Sequence, residues 1–348
     1  MKESKQGQTV FDKERRAALE AAIGRLPRTR LAALPTPLEE CPRLSAALGE
    51  ARVFIKRDDL TGLAFGGNKS RQLEFVLGQA QAEGVDVLLA TAAIQSNLCR
   101  QVAAAACKLG MRCVLVLRGQ EPPARQGNLL LDQLLGADVR FVDTADLSVT
   151  DEVLRQIALV MRREGHKPLI INRGWTLGPY GAAGYVNCAL ELSDQMQAQG
   201  IAANYVYLVC GSTTHAGLLL GLKWLGVQTR VVGINLAPRR PAHELIVPIG
   251  RETAELLGID TALLPEEVRA VDDYVGGGYG VLTEEVVEAV RLLARTEGIL
   301  VDPVYTGKAL SGLIGDVRRG RIGPGETAVF LHTGGTPALF AYAQQLEA

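Results

Sequence analysis

Short apolar runs rich in β-branched residues alternate along the chain with stretches in which apolar residues recur at helical spacing. The apolar runs predict strands at residues 53–56, 87–91, 113–117, 139–142, 168–171, 205–210, 231–234 and 328–332. The amphipathic stretches predict helices at residues 70–82, 96–109, 128–135, 151–163, 182–198, 216–225, 284–296, 307–318 and 337–346. This alternation predicts an α/β fold of parallel sheets flanked by helices, with ligands at the carboxyl ends of the strands.

The order of these elements also predicts two domains. A chain of 348 residues exceeds what one hydrophobic core commonly serves. Residues 65–177 contain four strand and helix steps of their own, and we predict that they form a small α/β domain. Residues 1–64 and 178–348 then form a larger domain, so that the chain has two open, twisted, parallel-sheet domains.

Composition and charge narrow the class of protein. A hydrophobic fraction of 47% with 22% charged residues is ordinary for a globular enzyme. The 37 basic and 38 acidic residues nearly cancel, so we expect neither nucleic acid nor a membrane as a partner. Residues 1–8 lack the apolar core of a secretory signal, and no apolar run approaches the roughly 20 residues of a membrane span. We therefore expect a cytoplasmic protein whose six cysteines are reduced and buried.

Lys69 stands out among the lysines by its position. It follows Gly66, Gly67 and Asn68 and precedes the predicted helix 70–82, so it lies at a helix N-terminus that Asn68 can cap. The positive end of the helix dipole and partial desolvation both lower the pKa of an amine placed there. A larger neutral fraction is what a lysine needs to form a Schiff base. Taken alone, a lysine at such a position is more often a solvated residue of a first helical turn.

A second segment predicts a phosphate site. Gly211, Ser212, Thr213, Thr214 and His215 follow an apolar strand and open a helix, so that backbone amides and hydroxyl groups point at one place. By itself such a loop is more often a plain helix cap, and its spacing matches neither a P-loop nor GxGxxG. A phosphate loop together with a Schiff-base lysine describes pyridoxal 5'-phosphate. We therefore predict this cofactor, and we predict no metal.

Three further segments follow strands or lie in turns. The residues concerned are Gln95, Ser96, Asn97, Tyr279, Tyr305 and Thr333. Ser96 and Asn97 either cap a helix or bind a substrate carboxylate and the cofactor, and Gln95 precedes them in the same segment. The two tyrosines are either loop anchors or catalytic hydroxyl groups, and the threonine can offer its hydroxyl to a ring nitrogen.

In order and along nearly the whole chain, six segments resemble the D-cysteine desulfhydrase and 1-aminocyclopropane-1-carboxylate deaminase family. They begin at residues 65, 94, 214, 278, 302 and 332 and read FGGNK, IQSN, THAG, GYGV, DPVYTGKA and HTGG. The resemblance implies the tryptophan-synthase-β-like fold, which is fold type II among pyridoxal-phosphate enzymes, and a homodimer with a small amino acid as substrate.

The same resemblance implies a role for each segment. The implied catalytic residues are Lys69, Ser96, Tyr279 and Tyr305. The implied cofactor ligands are Lys69, Asn97, Thr333 and the loop from Gly211 to His215. The implied contacts of the substrate carboxylate are Gln95, Ser96 and Asn97. In such lyases the freed lysine removes the α proton, and a tyrosine assists the leaving group.

One position separates the two activities of this family. In the cyclopropane deaminases the residue after the second tyrosine is a glutamate that contacts the pyridine nitrogen, whereas here it is Thr306. A hydroxyl from Thr306, or rather from Thr333, cannot hold a ring proton as a carboxylate does, so the cofactor is a weaker electron sink. The sequence therefore favours α,β-elimination from D-cysteine or a relative such as L-cysteate, giving a keto acid and ammonia. The alternatives are cyclopropane deamination, racemisation or β-replacement on a larger acidic amino acid, and a binding protein that has lost catalysis.

Two departures from the family pattern bear on substrate choice. Leu98 and Cys99 follow the Gln-Ser-Asn run, where family members usually carry a histidine. Residues 172–181 are longer than the corresponding family segment and include Arg173 and Trp175. We expect Arg173 and Trp175 to contact the substrate, with Arg173 paired to a second anionic group, although a drifted surface loop is the alternative.

Overall fold

The computed structural model describes residues 13–49, 51–172, 177–238 and 240–347. In these ranges the strands are β1 (Leu38–Glu40), β2 (Arg52–Lys56), β3 (Val87–Ala93), β4 (Arg112–Arg118), β5 (Asp138–Val142), β6 (Pro168–Ile171), β7 (Tyr205–Val209), β8 (Arg230–Ile234), β9 (Arg269–Val271) and β10 (Thr327–Leu331). The helices are α1 (Lys13–Gly24), α2 (Pro42–Ala47), α3 (Asn68–Ala82), α4 (Asn97–Leu109), α5 (Gly127–Leu134), α6 (Leu147–Arg163), α7 (Gly178–Ala198), α8 (Ser212–Trp224), α9 (His243–Leu257), α10 (Glu284–Glu297), α11 (Thr306–Arg318), α12 (Ala338–Ala341) and α13 (Ala343–Glu347).

The strands form two sheets. One has six strands in the order β1-β2-β10-β7-β8-β9, and the other has four in the order β5-β4-β3-β6. Every pairing is parallel except that of β1 with β2, which is antiparallel. The predicted α/β class with open parallel sheets is thus confirmed, apart from this edge strand. The four-stranded sheet lies wholly within residues 65–177, and the division into domains stays a prediction.

Several elements differ from their prediction. β1 and β9 are three-residue strands at sheet edges, too short for an alternating pattern to show. α9 contains Pro248, which normally ends a helix, and α1 and α2 are weakly patterned or short. α6 begins earlier than expected because the Asp146 carboxylate caps it by accepting from the Ser148 amide at 2.8 Å.

Two thiols are not buried as expected, since Cys107 is exposed and Cys210 is half-buried. No helix in the described ranges combines the length and the apolar character needed to cross a membrane.

Helices cover both faces of each sheet, so successive residues of a central strand enter different cores. In β10, Val329 and Leu331 pack with α7 and α8, whereas Ala328 and Phe330 pack with α10 and α11. The residues of β3 divide in the same way between the side of α3 and α4 and the side of α6. Burial on both faces explains why these strands read as continuous apolar runs in the sequence.

A buried network of charges fixes the start of α3. Arg71 donates to both oxygens of Asp58 at 2.8 and 2.9 Å and to both oxygens of Glu191 at 2.8 and 3.0 Å. Lys56 donates to Oε1 of Glu191, which also accepts from Arg71, and Tyr185 donates to Asp58 at 2.7 Å. Arg71 is 1% exposed and Asp58 is fully buried, so each charge depends on the others for compensation. The network joins α3, α7 and the end of β2.

Replacing Arg71→Met should lower the free energy of unfolding by roughly 3 to 5 kcal/mol, because it leaves the Asp58 carboxylate buried without its main counter-charge. Urea denaturation at pH 7 measures this loss. The control Arg155→Met removes an exposed arginine of α6 and should change stability by less than about 0.5 kcal/mol. Equal losses for the two variants would show that the network is dispensable.

The wild type and the Arg71→Met variant should also respond differently to acid. Burial raises the pKa of Asp58 and of Glu191, but the charge and hydrogen bonds of Arg71 overcome burial and hold both pKa values below their ordinary range. A carboxylate whose pKa is depressed in the folded state stabilises the fold above its unfolded-state pKa of about 4, and this stabilisation is lost as the pH falls through the folded pKa. Urea midpoints should therefore fall more steeply below about pH 4 for the wild type than for Arg71→Met.

Candidate active site

Lys69 lies at the N-terminus of α3, as predicted. Gly66 and Gly67 precede it with φ of +63° and +125°, a left-handed backbone that glycine adopts without strain. A side chain on Gly66 would also collide with the carbonyl oxygen of Asp59. The predicted cap by Asn68 is wrong, because Gly67 is the N-cap and the Asn68 side chain reaches another helix. A tight glycine turn, rather than a side-chain cap, therefore sets the start of the helix.

The Lys69 amine has no hydrogen-bond or ion-pair partner among the described residues. Its side chain is half-buried, and desolvation lowers the pKa of the amine from 10.5 to about 8. Near pH 8 about half of such amines are neutral, whereas an ordinary lysine is almost wholly charged. A neutral, unpaired amine is the form that attacks an aldehyde carbon.

The N-terminus of α8 lies directly against that of α3. The Asn68 side chain donates to the Thr214 hydroxyl at 3.0 Å, and Gln72 donates to the hydroxyl groups of Thr213 and Thr214 at 2.9 and 2.8 Å. Gly211 is the N-cap of α8, so the amides of the first turn, starting at Ser212, have no acceptor within the helix. Such amides attract an anion, and here they open beside the lysine.

His215 lies at the same helix end, but its side chain points elsewhere. A Cβ built on Gly233 of β8 would lie 2.7 Å from Nδ1 of His215, so the ring packs beneath the large sheet. Neither ring nitrogen has a partner among the described residues, and desolvation lowers the pKa of the imidazole to about 4. The backbone amide of His215 already donates to the carbonyl of Gly211 at 3.2 Å. The imidazole is thus a neutral core group.

The loop after β10 packs on the lysine turn. The Asn68 amide donates to the Thr333 carbonyl at 3.0 Å, and a Cβ on Gly334 would lie 2.6 Å from Cα of Gly67. This close approach requires glycine at position 334, and a Cβ on Gly67 would lie 2.5 Å from the Gln101 side-chain nitrogen. The Thr333 hydroxyl makes no hydrogen bond with any other described residue. It is therefore free to bind a group placed next to Lys69.

The hydroxyl of Thr306, in contrast, is already hydrogen-bonded within the protein. Its hydroxyl donates to a carboxylate oxygen of Asp302 at 2.6 Å and accepts from the Asp302 amide at 2.9 Å. The two predicted sources of a hydroxyl for the ring nitrogen therefore differ, since only Thr333 has its hydroxyl available in the described part of the chain.

Tyr279 and Tyr305 form a pair. Their hydroxyl groups are hydrogen-bonded to each other, and their rings meet edge to face with centroids 5.7 Å apart. Desolvation raises the pKa of Tyr279 to about 12 and that of Tyr305 well above 10, so both hydroxyl groups keep their protons at neutral pH. The buried Asp302 carboxylate holds the Tyr305 turn by accepting from the amides of Val304 and Tyr305 at 3.0 and 2.8 Å. The geometry presents a proton donor on a fixed turn.

Gln95, Ser96 and Asn97 join the end of β3 to α4. Ser96 caps α4 by accepting from the Cys99 amide at 3.2 Å, which confirms the capping interpretation for this residue. The Gln95 side chain binds backbone groups at the start of α5, at 2.9 and 3.1 Å. Asn97 accepts from the Asn128 side chain at 3.0 Å. The side chains of Gln95 and Asn97 thus tie this loop to α5.

Two residues that no sequence motif indicated bring α4 to the lysine turn. Arg100 and Gln101 both donate to the carbonyl of Gly66, at 2.9 and 2.8 Å. Gln101 also accepts from the Ser70 hydroxyl at 2.8 Å, next to Lys69. Arg100 is fully buried, and desolvation lowers its pKa to about 10. A charged and an amide residue between the apolar Cys99 and Val102 were the available signal.

The two departures from the family pattern have different outcomes. Leu98, at the place of the expected histidine, is 7% exposed and packs in the core of the small sheet. Arg173 and Trp175 lie outside the described residues. No group of three or more His, Cys, Asp or Glu residues in the described ranges is arranged to hold a metal ion.

Comparisons with known proteins agree with the resemblance. The family described as pyridoxal-phosphate dependent enzymes matches residues 29–334. A D-cysteine desulfhydrase of Klebsiella pneumoniae (strain 342) is 42% identical over 332 residues, which cover 93% of this chain and 98% of that protein. A 1-aminocyclopropane-1-carboxylate deaminase of Burkholderia ambifaria is 41% identical over 325 residues, covering 89% and 94%. A crystal structure of an ACC deaminase homologue superposes with a TM-score of 0.87 at 38% identity, covering 95% of this chain and 98% of that one.

The residues gathered around Lys69 also fit this cofactor chemically. An unpaired amine, the first-turn amides of α8 and the free hydroxyl of Thr333 are the three kinds of group that an aldehyde, a phosphate and a pyridine nitrogen require. The predictions of an enzyme, of pyridoxal phosphate and of fold type II are confirmed. The chain belongs to the family of pyridoxal-phosphate dependent enzymes.

Proposed function

We propose that this protein is a lyase that catalyses α,β-elimination from a cysteine-like amino acid, D-cysteine or a relative such as L-cysteate. The products are a keto acid, ammonia and the released β substituent. The observation that carries the proposal is the Lys69 amine, which is unpaired in the described part of the chain and linked through Asn68 to the N-terminus of α8. The similarity to D-cysteine desulfhydrases over almost their full length supports the reaction class.

We assign the cofactor contacts from the free groups of the site. Lys69 attaches the cofactor, the amides of residues 211–214 bind its phosphate, and the Thr333 hydroxyl meets the ring nitrogen. His215 contributes through the packing of its ring rather than through a contact. When bound, pyridoxal phosphate withdraws electrons from the substrate Cα and so stabilises negative charge there.

The chain itself supplies proton transfer and positioning. Lys69, with a pKa of about 8, accepts the α proton once its amine is free. The Tyr279 and Tyr305 hydroxyl groups stay protonated and donate to the leaving group, while Asp302 holds the Tyr305 turn. Ser96 and Asn97 lie at the N-terminus of α4, where backbone amides favour a substrate carboxylate.

The choice between the two activities of the relatives rests on Thr306. Its hydroxyl is engaged with Asp302, and the remaining hydroxyl, that of Thr333, cannot stabilise a protonated ring nitrogen as a carboxylate does. Departure of a good β leaving group needs less electron withdrawal than opening of a cyclopropane ring. We therefore favour elimination over deamination of 1-aminocyclopropane-1-carboxylate.

Further parts of the proposal concern substrate contacts and assembly. Gln95, Arg173 and Trp175 stay predicted substrate contacts, with Arg173 as the partner of a second anionic group. The proposed protein is a cytoplasmic homodimer that acts on a small amino acid and binds neither nucleic acid nor a membrane.

Borohydride reduction of the purified enzyme should fix a pyridoxyl group to Lys69. Peptide mass mapping locates the label. Lys56 and Lys308 are internal controls, because the amine of each is already hydrogen-bonded. Lys56 donates to the Thr36 carbonyl at 2.7 Å, and Lys308 donates to the Val275 carbonyl at 2.7 Å. A label on either control, or none on Lys69, contradicts the assignment.

A panel of amino acids tests the reaction. We expect keto-acid release from D-cysteine or L-cysteate to exceed release from 1-aminocyclopropane-1-carboxylate by at least about tenfold, because Thr306 replaces the glutamate of the deaminases. β-Chloroalanine, serine and larger acidic amino acids complete the panel, and chiral chromatography of unreacted substrate detects racemisation. The proposal fails if the cyclopropane is the best substrate, if an inverted or new amino acid is the main product, or if loaded enzyme turns over none of them.

Replacing Tyr305→Phe should separate leaving groups by their need for a proton. The hydroxide of serine needs a proton to leave, so kcat for serine should fall roughly 100-fold or more, within the range of general acid catalysis. Chloride leaves β-chloroalanine without a proton, so kcat for that substrate should fall much less. Tyr274→Phe is the matched control, since that hydroxyl is bonded to Asp316 at 2.9 Å in the large-sheet core. Equal losses for serine and β-chloroalanine would assign Tyr305 a purely structural role.

A further inference from the structure

The C-terminal segment brings a third tyrosine to the pair formed by Tyr279 and Tyr305. Residues 336–347 continue from the loop that carries Thr333, and Tyr342 directly follows α12. A Cβ built on Gly280 would lie 3.3 Å from the hydroxyl oxygen of Tyr342, so this hydroxyl packs against the backbone next to Tyr279. It makes no hydrogen bond with another described residue. A half-buried hydroxyl beside the tyrosine pair is therefore available.

Contacts with helices of both sheets hold this segment in place. The carbonyl oxygen of Pro337 lies 3.0 Å from the position of a Cβ on Gly127, at the start of α5. Arg291 of α10 donates to the Leu346 carbonyl at 2.8 Å. Between these anchors, the Leu346 amide donates to the Tyr342 carbonyl at 3.2 Å. The fold thus fixes the backbone from which the Tyr342 ring extends.

The three hydroxyl groups lie close enough to affect one another electrostatically. Desolvation is the main cause of the raised pKa of Tyr279 and of Tyr305, and Tyr342 raises both pKa values further. Desolvation and then the charge of Asp302 raise the pKa of Tyr342 itself. All three hydroxyl groups therefore keep their protons at neutral pH and act as hydrogen-bond donors. We call Tyr279, Tyr305 and Tyr342 the tyrosine cluster.

A cation from the small sheet faces the same place. Arg118 is the last residue of β4 and pairs in register with Ala93, the last residue of β3, so it lies at the carboxyl edge of the sheet. Desolvation raises the pKa of Tyr279 and that of Cys99 in the first turn of α4, and the charge of Arg118 opposes both increases. Its guanidinium is therefore within electrostatic reach of the tyrosine cluster and of the start of α4.

These groups suit one kind of β substituent. When a sulfonate leaves, the Cβ–S bond breaks and its electron pair stays with sulfur, so a group with one negative charge departs as sulfite with two. The α proton goes to Lys69, and water then gives the keto acid and ammonia. Hydroxyl donors and a guanidinium stabilise most strongly the state in which that charge increases. The sulfur of cysteine is a weak acceptor and engages fewer donors than three sulfonate oxygens.

We propose that Tyr342 and Arg118 determine specificity at the β position, and that the pocket takes amino acids whose β substituent is an oxyanion such as a sulfonate. This inference rests on the proposed elimination and narrows its substrate class. One proton of the Tyr279 and Tyr305 pair is used within the pair. The other proton and that of Tyr342 reach two oxygens of the substituent, whose charge Arg118 shares with the predicted contact Arg173. Tyr279 is 45% exposed, so the cluster is open to a substrate.

Aspartate and asparagine test the pocket without elimination. The two are nearly isosteric and neither carries a good β leaving group, so the charge of the β substituent is the main difference between them. Tyr342→Phe and Arg118→Gln should each raise the dissociation constant of aspartate roughly tenfold or more, as expected for a hydrogen bond to a charged partner. The constant of asparagine should rise no more than about fivefold. Cofactor absorbance of the loaded enzyme follows binding of both enantiomers.

Elimination tests the substrate class. For the wild type, kcat/KM for cysteate should exceed that for cysteine by about tenfold or more, comparing the better enantiomer of each. Both variants should narrow this ratio. A preference for cysteine overturns the inference about the β substituent and leaves the proposed elimination standing. If no β-substituted alanine yields a keto acid, the proposed function fails instead, and the comparison of aspartate with asparagine still decides the role of the pocket.

Tyr205→Phe is the matched control for the loss of a hydroxyl, because that hydroxyl donates to the Arg321 carbonyl at 3.2 Å from the first residue of β7, at the opposite edge of the sheet. Arg155→Gln on α6 controls for the loss of a cation. Neither control should change the dissociation constant of aspartate, and circular dichroism verifies that every variant is folded.

The outcome can contradict the inference in several ways. It is overturned if Tyr342→Phe and Arg118→Gln weaken aspartate and asparagine equally, if they weaken neither, or if the controls weaken aspartate as much. A selective loss in only one of the two variants removes the other residue from the pocket.

Discussion

The fold around the active site depends on the compensation of one buried charge. Arg71 lies two residues after Lys69, and its guanidinium is enclosed between Asp58 and Glu191. Because Arg71 and Asp58 are buried and Glu191 is only slightly exposed, the ends of β2, α3 and α7 must stay in register for the charges to be satisfied. The position of the Lys69 backbone follows from that constraint, while its amine, without such a partner in the described residues, keeps a lowered pKa.

Close backbone contact then brings the remaining segments to the lysine. Gly67 and Gly334 touch, and the carbonyl of Gly66 accepts from both Arg100 and Gln101 of α4. Asn68 adds the contact to α8. Loops from both sheets are thus anchored to one short turn, and the groups left without partners there are those that a phosphate, a pyridine nitrogen and an aldehyde require.

Much of this arrangement was predictable because it depends on residues that are close together in the sequence. Apolar runs buried on both faces identified the central strands, and the glycine turn identified the helix at whose start Lys69 lies. The sequence pattern did not predict the short edge strands or the helix containing Pro248, because their stability comes from neighbouring elements rather than from their own residues. It did not predict the role of Asn68 either, since the partner Thr214 is distant in sequence.

The sequence by itself determined the α/β alternation, the Lys69 turn and the residue types of the cofactor site, since propensity and periodicity act over a few residues. Only the tertiary structure decided which of those groups remain free. The Thr306 hydroxyl is hydrogen-bonded to Asp302, and the imidazole of His215 packs in the core beside Gly233. Hydrogen-bond satisfaction and burial depend on residues brought together from distant parts of the chain, and no local pattern records them.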